Sequence, residues 1–283
     1  MKYILIYITI FFNMVFSIGL QSLELPVNAN ILASAGFGVA SEYNDWLNPA
    51  TLKQSDKTIV EFSANNWIPE FDVKGSYVSY QDQNQKFSAF SWKINDVEQY
   101  GETPSENPLG FFGSKILSAN YTRRIDFNEN QFGFNIGYSY MTLLEKDDKG
   151  FKLDLGFKRK ISNNYSIGFS VRNIMSEFDS GNELPQLITL GSSQLISKHI
   201  SITIYFDVFH DEDKEFGTYQ GFVFNNQLFD IIGGVRYYHE SKESDLSFGF
   251  NITYNNINLA VATLIKEEES LSSPIFYQIS YHF

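Results

Sequence analysis

Apolar and polar side chains alternate with a period of two along most of the chain from Thr58 onward. Between Phe151 and Lys158, for example, large apolar residues occupy the odd positions and polar or small residues the even ones. Similar alternation occurs in 131–140, 200–208 and 247–254. Because a β-strand places successive side chains on opposite faces, each segment predicts a strand with one apolar and one polar face.

The alternating segments predict about fourteen strands in an all-β chain. In order, they lie near 58–63, 74–81, 86–95, 113–124, 131–143, 150–160, 164–175, 185–196, 200–209, 217–225, 228–239, 246–254, 257–265 and 274–283. The 27 Phe and 17 Tyr residues also favour strands. Most segments approach the roughly 9 to 11 residues that a tilted strand needs to cross a membrane.

The predicted connections alternate in length and in charge. Those after odd-numbered strands are long and hold about two thirds of the 33 Asp and Glu residues, whereas those after even-numbered strands are mostly two to six residues. An antiparallel up-and-down transmembrane β-barrel has this form, with short periplasmic turns and longer external loops. A secreted soluble β-sandwich with a structural or adhesive role is the alternative, since surface loops are polar there too.

Both ends of the chain point to the cell envelope. Residues 1–19 carry one Lys, an apolar run and a small-residue cleavage site, which predicts a signal peptide. At the other end Tyr277, Ile279, Tyr281 and Phe283 share one face. This pattern resembles the C-terminal signal that the barrel-assembly machinery recognises in bacterial outer-membrane barrels. We therefore expect a protein of the outer membrane of a Gram-negative-type bacterium, with outer-membrane lipid and the assembly machinery as partners.

Signals for catalysis or cofactor binding are poor. There is no Cys, and His199, His210, His239 and His282 lack metal-ligand spacing. His210 precedes an acidic run that a divalent cation could use, but a solvated acidic loop is the simpler interpretation. No nucleophile elbow, P-loop or metalloprotease motif is present. A net charge of −12 argues against nucleic acid. The sequence predicts a non-enzymatic protein with no cofactor and no metal.

The polar faces of the strands carry charges and glycines. Six charged residues are predicted to face the barrel lumen: Lys93, Lys152, Asp154, Lys158, Arg172 and Asp207. Five glycines share that face: Gly133, Gly137, Gly156, Gly168 and Gly249. Glycine within a strand often marks the close approach of another backbone, although it also relieves strain where a barrel bends. We therefore expect a filled lumen rather than an open pore.

Residues 20–57 are the candidate filler, here called the hatch. They include Gly36 and Gly38 and, ahead of the first strand, an Asn48-Pro49-Ala50 motif that fits no strand pattern. Asn is a good helix N-cap and Pro suits the first helical position, so a short helix is expected to begin at Pro49. An ordinary capped surface turn is the alternative.

These features together resemble the FadL superfamily of outer-membrane barrels. The likeness rests on the signal peptide, the small-residue stretch Ala33–Ala40 and the Asn48-Pro49-Ala50 motif ahead of the strands. Four further stretches resemble its PorV/PorQ branch: Arg172-Asn173-Ile174, Leu184-Pro185, Leu190-Gly191 and Gly234-Val235-Arg236-Tyr237.

The resemblance implies an N-terminal hatch inside the barrel, with Gly36, Gly38, Asn48, Pro49 and Ala50 as its motif residues. PorV/PorQ-type members are associated with type IX secretion and surface attachment of exported proteins, whereas FadL-type members pass hydrophobic compounds. The chain lacks the long external insertions of fatty-acid transporters. This favours the secretion role, with exported or secretion-system proteins as partners, over a channel for small hydrophobic compounds.

Overall fold

The chain folds into a closed β-barrel of fourteen antiparallel strands. The computed structural model describes residues 22–68, 72–99, 110–143, 146–197, 201–212, 215–266 and 272–283. The predicted signal peptide lies outside the described residues. The predicted fold class is confirmed, and each predicted strand overlaps an observed one.

The strands run consecutively around the barrel. They are β1 (Ser55–Ile68), β2 (Val73–Gln83), β3 (Gln85–Gln99), β4 (Gly110–Phe127), β5 (Asn130–Leu143), β6 (Lys146–Ser162), β7 (Tyr165–Phe178), β8 (Leu187–Ser197), β9 (Ser201–Asp211), β10 (Glu215–Asn225), β11 (Phe229–Tyr238), β12 (Ser244–Tyr254), β13 (Ile257–Lys266) and β14 (Ile275–His282). Strand β1 pairs with β14 from Ile59–His282 to Asn66–Ile275, which closes the sheet.

One end of the barrel carries short turns and the other carries most of the longer connections. We call the second end the external end. Several strands continue further towards it than their alternation predicts. In particular, the predicted long loop 144–149 is wrong, because Lys146–Lys149 belong to β6 and pair with β5. Backbone hydrogen bonding continues there although the side chains no longer alternate.

The two faces of the sheet differ as the alternation predicts. On β5 the side chains of Phe132, Ile136 and Tyr138 point outward and are each about half exposed. An apolar outer face on a sheet without free edges satisfies both requirements of a lipid environment: paired backbone groups and apolar contact. No helix in the described part of the chain is long and apolar enough to cross a membrane.

The hatch lies inside the barrel. Its described part contains a 3-10 turn (Ser22–Glu24), a short helix α1 (Ala29–Ala33) and a second 3-10 turn (Pro49–Thr51). Strand β1 begins at Ser55, slightly earlier than predicted. Apolar hatch side chains such as Leu23, Leu32 and Leu47 are fully buried and form one core with inward-facing residues of the wall.

Candidate functional site

The Asn48-Pro49-Ala50 motif forms a capped turn against the barrel wall. The Asn48 side chain accepts a hydrogen bond from the Ala50 amide at 3.0 Å. Its Nδ2 atom donates to the Val39 carbonyl at 2.7 Å and to the Phe157 carbonyl of β6 at 3.1 Å. The turn begins at Pro49 as predicted, but it is a single 3-10 turn rather than an α-helix. One buried side chain therefore joins three backbone segments.

Four of the five glycines predicted for the lumen face lie directly under the hatch. Gly133 and Gly156 face the Asn48–Ala50 turn, Gly168 faces Val39, and Gly249 faces Ala33. A Cβ atom at any of these glycines would overlap hatch atoms. The fifth, Gly137, meets the side chains of Asn120 and Lys152 instead. Glycine on this wall thus gives the hatch backbone room to approach the strands.

Asp207 of β9 holds the glycine turn of the hatch. Its Oδ2 atom accepts from the Gly38 amide at 2.6 Å and from the Val39 amide at 2.9 Å. Gly36 and Gly38 both have positive φ angles, 78° and 97°. Successive amides in such a turn form a concavity that suits an anion. The fully buried Asp207 side chain therefore fastens this turn through two hydrogen bonds.

Trp46 of the hatch packs between two cations of the wall. The Lys152 Nζ atom lies 4.5 Å from its ring centroid, and the Arg172 guanidinium carbon lies 4.9 Å away. Arg172 also forms an ion pair with Glu24 at 2.9 Å. Cation–π contacts strengthen when the cation is desolvated, as both are here. The two buried cations therefore stabilise the seated hatch.

A bulge in β7 turns Asn173 into the lumen beside Arg172, which already faces it in regular alternation with Gly168 and Ser170. The pairing with β6 shifts between Leu153–Met175 and Leu155–Val171. Within it, Asn173 has a φ of 54°. Both Arg172 and Asn173 are therefore buried, although neighbours in a regular strand face opposite ways. The Asn173 amide donates to Asp154 at 2.7 Å, and its side chain donates to Glu24 at 3.0 Å.

Further residues of the wall, which the sequence did not single out, also contact the hatch. Lys86 pairs with Asp45 at 2.9 Å, and Arg124 donates to the Leu52 carbonyl at 2.8 Å. The Tyr43 hydroxyl donates to Asp230 at 3.1 Å. Burial, together with the Asp230 carboxylate, raises the pKa of Tyr43 above its ordinary value, so it remains a donor.

Of the six charged residues predicted to face the lumen, five do so and one does not. Lys152, Asp154, Arg172 and Asp207 are almost fully buried in the lumen, and Lys158 lies 3.6 Å from Glu42 of the hatch. The prediction that Lys93 faces the lumen is wrong. It is exposed on the outer face, opposite Lys74 and Lys115 of the neighbouring strands. The inward positions of β3 hold Phe90 and Trp92, so polarity assigned its faces wrongly.

Two cavities flank the hatch. The cavity on the external side has a volume of about 190 Å³. Its apolar lining includes Leu25, Phe37, Trp46, Trp67 and Leu187, and its charged lining is Glu24, Arg172, Asp211 and Arg236. The cavity near the short turns is larger, about 420 Å³, and is lined mainly by polar residues. The hatch therefore stands between an aromatic chamber and a polar one.

The described side chains offer no metal centre. No group of three or more His, Cys, Asp or Glu side chains among the described residues could hold a metal ion. Asp213, part of the acidic run after His210, lies outside the described residues. The polar groups of the lumen instead hold the hatch in the barrel through ion pairs, hydrogen bonds and close backbone contacts.

No family model matches the sequence, and no curated protein matches it. Solved structures do match the fold. The Pseudomonas putida toluene transporter TodX matches with a TM-score of 0.61 and 15% identity over 92% of this chain and 98% of that chain. The TodX deltaS2S3 mutant monoaromatic hydrocarbon channel matches with a TM-score of 0.64 and 13% identity, over 90% and 98%. A Pseudomonas aeruginosa FadL homologue matches with a TM-score of 0.56 and 8% identity, over 92% and 99%. The fold is therefore FadL-like.

Proposed function

We propose that this protein is an outer-membrane channel for small hydrophobic compounds, with the hatch as its gate. The observation that carries this proposal is the external cavity of about 190 Å³. A dry cavity of about 150 Å³ lined by apolar side chains binds benzene in another protein, so a single aromatic ring is a suitable size here. TodX, whose fold matches, is a monoaromatic hydrocarbon channel.

The lining of the cavity suits such a compound. Phe37 and Trp46 of the hatch, with Trp67 of β1, supply aromatic surface. Both arginines of the lining form ion pairs, Arg172 with Glu24 and Arg236 with Asp245. A pocket with apolar walls and few polar groups is typical of small-molecule sites. A neutral ring is therefore favoured over a charged solute.

The proposal is tested by replacing a wall residue that lines the cavity with a larger side chain that fills it. Leu187 lines it at the start of β8, so Leu187→Trp is expected to occupy the space that a ring would use. Uptake of labelled toluene by cells expressing the protein is expected to fall at least about fivefold, because overpacking of a filled site costs roughly 1–3 kcal/mol.

Leu190→Trp is the matched control, since Leu190 lies on the same strand and points outward with 58% exposure. Its uptake should equal that of the wild type. If Leu187→Trp transports toluene normally while present in the outer membrane at normal level, the cavity is not on the route and the proposal fails.

The secretion role stays a prediction from the PorV/PorQ resemblance. Its support is the set of short motifs alone. It would require exported proteins to contact the external end, where Glu240 and Glu243 are exposed in the connection after β11. Crosslinking from Glu240→Cys in cells distinguishes the two roles: capture of exported proteins favours secretion, and toluene uptake without capture favours the channel.

A further inference from the structure

Three lysines form a row across the outer face near the external end. Lys74 of β2 pairs directly with Lys93 of β3, and Lys93 pairs with Lys115 of β4. All three side chains are exposed. Lys74 is the second residue of its strand after the external connection. The row therefore lies at the upper margin of the apolar outer face.

Like charges at directly paired positions of neighbouring strands are destabilising. Lys74 has a partial remedy, an ion pair with Asp72 at 2.6 Å. Among the side chains that the structure describes, no acid forms an ion pair with Lys93 or Lys115. An external anion with more than one negative charge would offset this repulsion.

Directly below the row the outer face is depressed. The next outward positions on β1, β2 and β3 are Ala64, Ser76 and Ser91, which pair in register. The hydroxyls of Ser76 and Ser91 bond to each other at 2.9 Å, so each partly satisfies the other at the floor of the depression. The cavity here measures about 790 Å³, and Phe62, Leu117 and Tyr277 line it.

We propose that the lysine row and the depression below it together bind the lipid A portion of lipopolysaccharide. The phosphates would lie on the three lysines, and an acyl chain would lie in the depression. Lysines at a membrane surface attract anionic headgroups, and their long side chains reach the interface easily. This inference rests on the barrel spanning the outer membrane and is independent of what the lumen transports.

The chemistry of the two parts selects this occupant. A soluble phosphate would use the lysines and leave the apolar depression in contact with lipid tails. A neutral or zwitterionic lipid would use the depression and leave the positive charges uncompensated. A lipid with several phosphates on its headgroup satisfies both parts, and the external end faces the leaflet that contains it.

The test uses the purified full-length barrel in detergent and native mass spectrometry with added diphosphoryl lipid A. Lys93→Gln/Lys115→Gln is expected to weaken binding roughly thirtyfold at low salt. Ser91→Trp, which fills the depression without changing charge, should also weaken it. Dephosphorylated lipid A should bind the wild type as weakly as diphosphoryl lipid A binds the double variant.

Lys57→Gln/Lys160→Gln is the matched control, because it removes the same charge from two exposed lysines at the short-turn end. It should bind lipid A like the wild type. Heat-modifiable gel mobility shows that each variant is folded. Equal binding by the two double variants would overturn the proposal, and so would equal binding of both lipid A forms to the wild type. Toluene uptake by the lysine variants should be unchanged.

Discussion

At the scale of single residues, the hatch is held by buried polar side chains of the barrel wall. Asp207 illustrates this, because its Oδ2 atom accepts from two consecutive hatch amides, those of Gly38 and Val39. An unpaired buried amide costs about 1–3 kcal/mol. The free energy of seating this turn therefore depends strongly on one side chain.

Replacing Asp207 by Leu is expected to loosen the hatch without opening the barrel. Two buried amides would lose their acceptor, so the seated hatch should be destabilised by about 2–6 kcal/mol. Hydrogen exchange across 34–44 in the purified protein measures this as faster exchange at Gly38 and Val39. Asp207→Asn keeps one acceptor oxygen and should show a smaller effect. Wild-type protection in the Leu variant would contradict the assignment.

At the scale of elements, the bulge of β7 decides what the strand can reach. Asn173 takes a φ of 54°, a conformation that β-branched residues rarely adopt. Its side chain also bonds to Glu24 and to the Pro185 carbonyl. The bulge thus connects the hatch, the wall and the connection that precedes β8.

Asn173→Val is expected to destabilise the barrel more than Asn173→Gly. Both variants lose the side-chain bonds, but only Val adds the cost of a positive φ, about 1–3 kcal/mol. Urea unfolding in detergent, followed by tryptophan fluorescence, measures the difference because Trp46 packs on Arg172 beside the bulge. Equal stability of the two variants would mean that the bulge relaxes to a regular strand.

At the scale of the whole molecule, the hatch is what separates the two ends of the lumen. Wall charges such as Lys86 and Arg124 find acceptors in it, at Asp45 and the Leu52 carbonyl. If the hatch were absent, its side chains would no longer fill the lumen, and these charged groups would face water there. The barrel wall itself is a closed sheet in which each strand pairs with its two neighbours.

Deleting Leu20 to Asn48 is therefore expected to leave a folded barrel that leaks small hydrophilic solutes. Liposome swelling with sugars of graded size measures the leak, and heat-modifiable mobility shows that the barrel is intact. The wild-type protein in the same liposomes is the control and should swell little. An intact deletion variant with no added permeability would show that the hatch does not seal the lumen.

Much of this architecture follows from local pattern. Fourteen strands were predicted because alternation is a property of neighbouring residues, and the apolar face was placed outward for the same reason. The glycines beneath the hatch were also visible in sequence, since a strand interior gives few other reasons for them. The ends of the strands, including the start of β6 at Lys146, could not be predicted from sequence, because backbone pairing continues beyond the alternating side chains.

Residue-level errors arose where the lumen is not polar. The hatch brings its own apolar core, so inward positions of β3 are Phe90 and Trp92, and Lys93 faces outward. Polarity assigns faces only when one face meets lipid and the other meets water. Lys86 and Arg124 were missed because their partners lie about 40 and 70 residues away in the hatch.

The sequence by itself determined a closed, apolar-faced barrel and an N-terminal segment that could not be one of its strands. Only the tertiary structure decided which side chains fasten that segment, where the β7 bulge turns Asn173 inward, and how three lysines come into register on the outer face. The physical reason is the distance along the chain over which each interaction acts. Alternation and capping act over a few residues, whereas register, bulges and lumen contacts are fixed by segments far apart in the chain.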